Sequence, residues 1–135
     1  MQATILVVED NRLVRELVSN VLRLEGHEVV EACDGVIALE MLQTLRFDLV
    51  ITDFVMPKLK GIKFLEQLHA LQPRMPIILI TGHHSAISGN TIVENVAEIL
   101  TKPFELNDLR STVQRLLLES AQYCPAPLPL TNSLE

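Results

Sequence analysis

The chain has 135 residues, of which 48% are hydrophobic, 21% charged and only 4% aromatic, with no Trp. That length supports one domain around one well-developed core, and the composition excludes a disordered chain, so the core must be aliphatic. A net charge of −6 and a pI near 5.2 make the domain a poor electrostatic partner for nucleic acid or an anionic membrane.

The first element is Ala3 to Val8, a short β-branched run ending in Glu9-Asp10 that reads as a buried strand. Asn11 to Glu25 reads as a helix, with Val14, Leu17, Val18, Val21 and Leu22 at helical spacing and Gly26 as its stop. Glu28 to Cys33 is a second strand, and Asp34-Gly35 marks a turn. Val36 to Leu45 is helical, with Ile37, Met41 and Leu45 as its apolar stripe. Phe47 to Thr52 is the third strand, with a buried-type run from Leu49 that ends at Asp53, and Pro57 cannot extend the ladder. Gly61 to Leu71 is a helix with Phe64, Leu65 and Leu68 turned inward.

Ile77 to Ile80 is a fourth buried strand ending at Thr81-Gly82. His83 to Val96 is the least regular stretch: Gly89 interrupts it, and Ile92, Val93 and Val96 suggest a short helix. Ala97 to Thr101 is a fifth strand before Lys102-Pro103. Glu105 to Glu119 is amphipathic, with Leu106, Leu109, Val113, Leu116 and Leu117 as its core stripe. From Ser120 the chain loses apolar periodicity and gains Pro125, Pro127 and Pro129. The expected organisation is one domain over residues 1–120 and a disordered tail or linker over 121–135.

Strands alternating with helices imply a doubly wound parallel α/β sheet. Right-handed crossovers with the first strand near the middle give the flavodoxin-like order 2-1-3-4-5. The two cysteines, Cys33 and Cys124, have neither metal nor disulfide spacing, and Cys33 is expected to be a small buried hydrophobe. No signal peptide is evident, and no apolar run approaches the roughly 20 residues of a membrane span. The expected setting is cytoplasmic and reducing, with no contact to membrane and none to nucleic acid by this domain.

The carboxyl ends of the strands carry the chemistry. They bear Glu9 and Asp10, then Asp53, Thr81 and Lys102. In the 2-1-3-4-5 order the first and third strands are neighbours at the switch point, where ligands bind. Three carboxylates there repel, which raises a pKa or recruits a cation. All-oxygen ligands suit Mg²⁺ rather than Zn²⁺. Lysine is a point-charge phosphate binder, a threonine hydroxyl can donate to a phosphoryl oxygen, and an aspartate can become an aspartyl-phosphate. Taken singly, each residue has a plainer role. Glu9 and Asp10 would cap the first helix, Thr81 would be a turn residue, Lys102 a surface lysine, and Asp53 would cap the loop after its strand.

The chain resembles the receiver domain of two-component response regulators over about residues 3–119. The motifs are Val7-Val8-Glu9-Asp10, Ala32-Cys33-Asp34-Gly35, Asp53 with Met56-Pro57 and Gly61, Pro76-Ile77-Ile78 running to Thr81, and Thr101-Lys102-Pro103-Phe104. The resemblance implies that Asp53 accepts a phosphoryl group from a histidine kinase or phosphotransfer protein. It implies that Glu9, Asp10, Asp53 and the Val55 backbone carbonyl hold Mg²⁺, and that Thr81 and Lys102 bind phosphoryl oxygens. It also implies a cis bond before Pro103 and a switch that is not an enzyme beyond its own phosphorylation and dephosphorylation.

Several positions depart from the family. Ile99 stands where an aromatic commonly switches together with the threonine, and Asn95-Val96 replaces a frequent Gly-Ala pair. The stretch from Thr81 to Lys102 is about one residue shorter than the common pattern. Val55 and His83 occupy the positions that flank the hydrolytic water in similar domains. A His83-His84 metal pair is the weaker reading, because paired loop histidines are usually solvated. A phosphate-independent interaction module is the alternative function, with Ile99 and the altered fourth helix as its support. A small-substrate phosphatase would usually need a further acid/base carboxylate after Asp53 and a cap, and neither is evident. Output domain, partner protein and homodimer formation through the divergent face are left open.

Overall fold

The computed structural model describes residues 2–53, 61–82 and 96–122. The strands are β1 (Thr4–Val8), β2 (Glu28–Ala32), β3 (Leu49–Asp53), β4 (Ile77–Thr81) and β5 (Glu98–Thr101). The helices among the described residues are α1 (Arg12–Leu24), α2 (Gly35–Thr44), α3 (Gly61–Leu71) and α4 (Leu106–Gln122). All strands pair in parallel in the order β2-β1-β3-β4-β5, as the alternating pattern predicts. The short helix expected between His83 and Val96 lies outside the described residues, as do Val55, His83, His84, Cys124 and the proline-rich tail.

The central strands are buried on both faces because their residues alternate between two cores. Leu6, Val8, Val50, Ile77 and Leu79 pack with Ala38 and Leu42 of α2 and Phe64, Leu65 and Leu68 of α3. Ile5, Val7, Leu49, Ile51, Ile78 and Ile80 pack with Val18 and Leu22 of α1 and Leu109, Val113, Leu116 and Leu117 of α4. Period-two alternation therefore supplies both layers from one set of strands.

Local signals set the element ends. Asn11 caps α1, its side-chain oxygen accepting from Val14 N at 3.1 Å. Gly26, at φ +93°, ends that helix in a left-handed turn where His27 N donates to Leu22 O. Asp34 caps α2 by accepting from Ile37 N at 2.9 Å.

The structure corrects some expectations. The stripe of α2 is rotated by one residue: Ala38 and Leu42 are buried, Ile37 and Met41 only partly, and Leu45 is exposed. Leu45 follows the helix end in extended backbone, so helical spacing no longer governs it. Leu17 is exposed too. Cys33 is exposed rather than buried, because β2 ends at Ala32 and Cys33 belongs to the turn beyond it. The last helix continues through Ser120 to Gln122, since the helix-breaking prolines begin only at Pro125.

Candidate functional site

Two adjacent strand ends deliver the three acidic groups to one crevice. β1 and β3 are adjacent, with Val8 opposite Thr52, so Glu9 and Asp10 emerge beside Asp53. One carboxylate oxygen from each of Glu9, Asp10 and Asp53 lies within 4.8 Å of the others. Glu9 and Asp53 are buried and Asp10 is exposed, so the cluster opens to solvent on the Asp10 side. All donors are hard oxygens, and the cluster carries more negative charge than its single ammonium offsets. The residues present therefore fit a small hard dication.

Lys102 supplies that ammonium. Its Nζ lies 2.9 Å from Asp53 Oδ2 and 3.6 Å from Glu9 Oε1. The lysine reaches the crevice from the end of β5, two strands from Asp53, and its own N–H donates to Thr81 O at 2.7 Å. The Lys102–Pro103 peptide bond is cis, as the resemblance implies. Burial pushes the ammonium down, but the hydrogen bond to Asp53 and the charges of Glu9 and Asp53 outweigh it. The Lys102 pKa therefore stands above its ordinary value.

Glu9 shows the strain of this arrangement. Burial, the Asp53 charge and a hydrogen bond to Asp10 raise its carboxyl to about 7, against the opposing effects of Asn11 N–H and Lys102. Asn11 N donates to Glu9 Oε2 at 3.0 Å. Burial is the largest of these causes, and the Asp53 charge adds to it.

Thr81, at 0% exposure, ends β4 one position beyond Ile80, the partner of Asp53. Ile99 pairs with Leu79 and packs half-buried against the core beneath α2 and α3. The structure thus brings together Glu9, Asp10, Asp53 and Lys102, with Thr81 at the adjoining strand end. Val55 lies outside the described residues.

Sequence reasoning did not find Arg15. Its guanidinium on α1 donates from Nη1 to Glu9 O at 2.8 Å and from Nε to Glu31 Oε1 at 3.2 Å. Nothing local to Arg15 signals this, because Glu31 lies on β2, 16 residues away.

Comparisons with known proteins agree with this geometry. The family model described as "Response regulator receiver domain" matches residues 5–114. The response regulator MprA of Mycobacterium ulcerans is 36% identical over 118 residues, covering 87% of this chain and 51% of MprA. The chain thus spans about half the length of that relative. A CheY-like receiver domain structure from Methanospirillum hungatei superposes with a TM-score of 0.85 at 26% identity, covering 90% of this chain and 98% of that one. The response regulator TrrA from Thermotoga maritima, solved in complex with Mg²⁺ and BeF, superposes with a TM-score of 0.78 at 31% identity, covering 86% and 99%. Among the described residues no helix is long and apolar enough to cross a membrane. The chain belongs to the receiver domain family of response regulators, the phosphoacceptor modules of two-component systems.

Proposed function

We propose that this receiver is phosphorylated on Asp53 by a histidine kinase or phosphotransfer protein in a Mg²⁺-dependent reaction. The observation that carries this reading is the crevice itself: a buried Asp53 with the Lys102 ammonium at 2.9 Å and two further carboxylates converging on it. The Asp53 carboxylate oxygen would attack phosphorus while the bond to the donor nitrogen breaks. The phosphoryl group would become an acyl phosphate, and the leaving imidazole would depart neutral after protonation. Asp53 needs no general base, because it reacts as the anion.

Glu9, Asp10 and Asp53 would hold the cation, with the Val55 carbonyl completing the set. Bound there, Mg²⁺ would neutralise charge on the transferring group. The TrrA complex with Mg²⁺ and BeF supports a cation at this crevice. Lys102 would exchange its bond to Asp53 for one to a phosphoryl oxygen, and the Thr81 hydroxyl would donate to another. Thr81 and Ile99 would then carry the change to the surface: Thr81 lies on β4 opposite Thr101, and Ile99 lies on β5 opposite Leu79. An isoleucine can repack there without swinging an aromatic ring. The module works in the cytoplasm on a partner protein or output domain, and its acidity argues against direct DNA contact.

The test is intact-protein mass after incubation with phosphoramidate or acetyl phosphate, with and without Mg²⁺, for the wild type and Asp53→Ala. One phosphoryl adduct that needs Mg²⁺ and is lost in the variant is expected. No adduct on a folded, Mg²⁺-bound wild type would favour a phosphate-independent interaction module.

A further inference from the structure

The acidic loop that follows β1 is held from beneath by one guanidinium. Arg15 lies one turn into α1, and its side chain is only 17% exposed. Its Nη1 donates to the backbone carbonyl of Glu9 at 2.8 Å, in the peptide that joins the two acidic residues. Its Nε bonds Glu31 Oε1 at 3.2 Å, and Glu31 Oε2 in turn meets Arg23 Nη2 at 3.2 Å. Arg23 Nη2 also donates to Val29 O at 3.3 Å. The chain of contacts therefore ties the Glu9 peptide to β2 and to the far end of α1.

Glu9 is fixed on its other sides as well. Its own N–H donates to Ala32 O at 3.0 Å, and Asn11 N donates to its Oε2 at 3.0 Å. With the carbonyl clamped too, the Glu9-Asp10 peptide plane has little freedom to rotate. The Cα atoms that carry the two acidic side chains lie at the ends of that plane, so its orientation fixes where both side chains start.

We infer that Arg15 is a positioning residue for the cation site: through the Glu9 carbonyl it holds Glu9 and Asp10 in metal-binding geometry. The inference rests on the Mg²⁺ reading above. Partners behind the ligands orient them, and losing such a partner typically weakens metal binding by 10–100-fold. A planar fork can hold the carbonyl and Glu31 together, which a lysine ammonium cannot do with the same geometry.

The sign of the effect separates positioning from electrostatics. Arg15 carries a positive charge near a cation site, so simple Coulomb reasoning predicts that removing it tightens Mg²⁺ binding. Positioning predicts the opposite.

The experiment is a Mg²⁺ titration of the full, unphosphorylated chain, followed by amide NMR, for the wild type, Arg15→Gln and Arg15→Lys. Amide hydrogen exchange at Asp10 and Asn11 is measured on the same samples without metal. We expect Mg²⁺ affinity to fall about tenfold in Arg15→Gln and by a smaller factor in Arg15→Lys, with faster exchange at both amides. A role confined to general stability would lower the melting temperature and leave Mg²⁺ affinity unchanged. Affinity equal to or tighter than wild type in both variants overturns the inference while leaving the Mg²⁺ reading intact. A folded wild type that binds no Mg²⁺ overturns both. If Arg15→Gln fails to fold, Arg15→Lys keeps the charge and decides the question alone.

Discussion

The Lys102 ammonium stands 2.9 Å from Asp53 Oδ2, joining groups 49 residues apart in the chain. Under the proposed function, the pair would place the acceptor carboxylate and a phosphate-binding cation at one point before any phosphoryl group arrives. Replacing Lys102 by Met leaves Asp53 and Glu9 buried without their shared counter-ion. Phosphorylation by phosphoramidate should slow by roughly two orders of magnitude, because a preorganised charge partner is lost from the transition state. Stopped-flow or timed mass measurements at saturating Mg²⁺ check this. A rate within threefold of wild type would remove Lys102 from the chemistry.

Glu9 predicts an inverted pH dependence of stability. Its carboxyl sits at about 7 in the folded protein against an ordinary 4.5. The folded state therefore binds more protons than the unfolded state between those values. This contribution is full below about pH 4.5 and is lost as pH rises through 7, on the order of 3 kcal/mol. His27 acts in the opposite sense, since burial and the N-terminal charge lower its pKa. Melting curves of wild type and Glu9→Gln from pH 5 to 8 separate the two, because both proteins keep His27. The wild type should lose stability relative to Glu9→Gln as pH rises, and millimolar Mg²⁺ should restore the wild type at pH 8. Parallel curves for the two proteins would contradict the raised carboxyl.

Phe64 is 1% exposed and belongs to the core beneath α2 and α3. Phe64→Ala should cost about 3–5 kcal/mol in chemical denaturation, the range for an emptied aromatic site. A loss under about 1 kcal/mol would mean that α3 packs less tightly than described.

Asp34 is a buried cap whose carboxylate accepts from Ile37 N at 2.9 Å. Asp34→Ala should cost about 1–2 kcal/mol of stability, while Asp34→Asn should recover most of it. Mg²⁺ affinity should stay within twofold of wild type, since Asp34 is outside the acidic cluster. A large loss of Mg²⁺ binding would show that the β2–α2 turn shapes the cation site.

Much of this protein was written in local pattern. Apolar runs such as Leu49–Ile51 and Ile77–Ile80, spaced by amphipathic helices, specify a parallel sheet because each strand must be covered on both faces. Once that order is set, Glu9, Asp10, Asp53, Thr81 and Lys102 must meet at the carboxyl edge, since every strand points the same way. Other features depended on contacts between residues distant in sequence. The chain could not reveal that Arg15 grips the Glu9 carbonyl, that the α2 stripe runs through Ala38 and Leu42, or that Cys33 faces solvent. Those outcomes turn on helix rotation and side-chain reach across elements, which only tertiary packing decides. The raised Glu9 carboxyl belongs with them: repulsion was foreseeable from three converging acids, but which acid bears it follows from burial in the folded crevice.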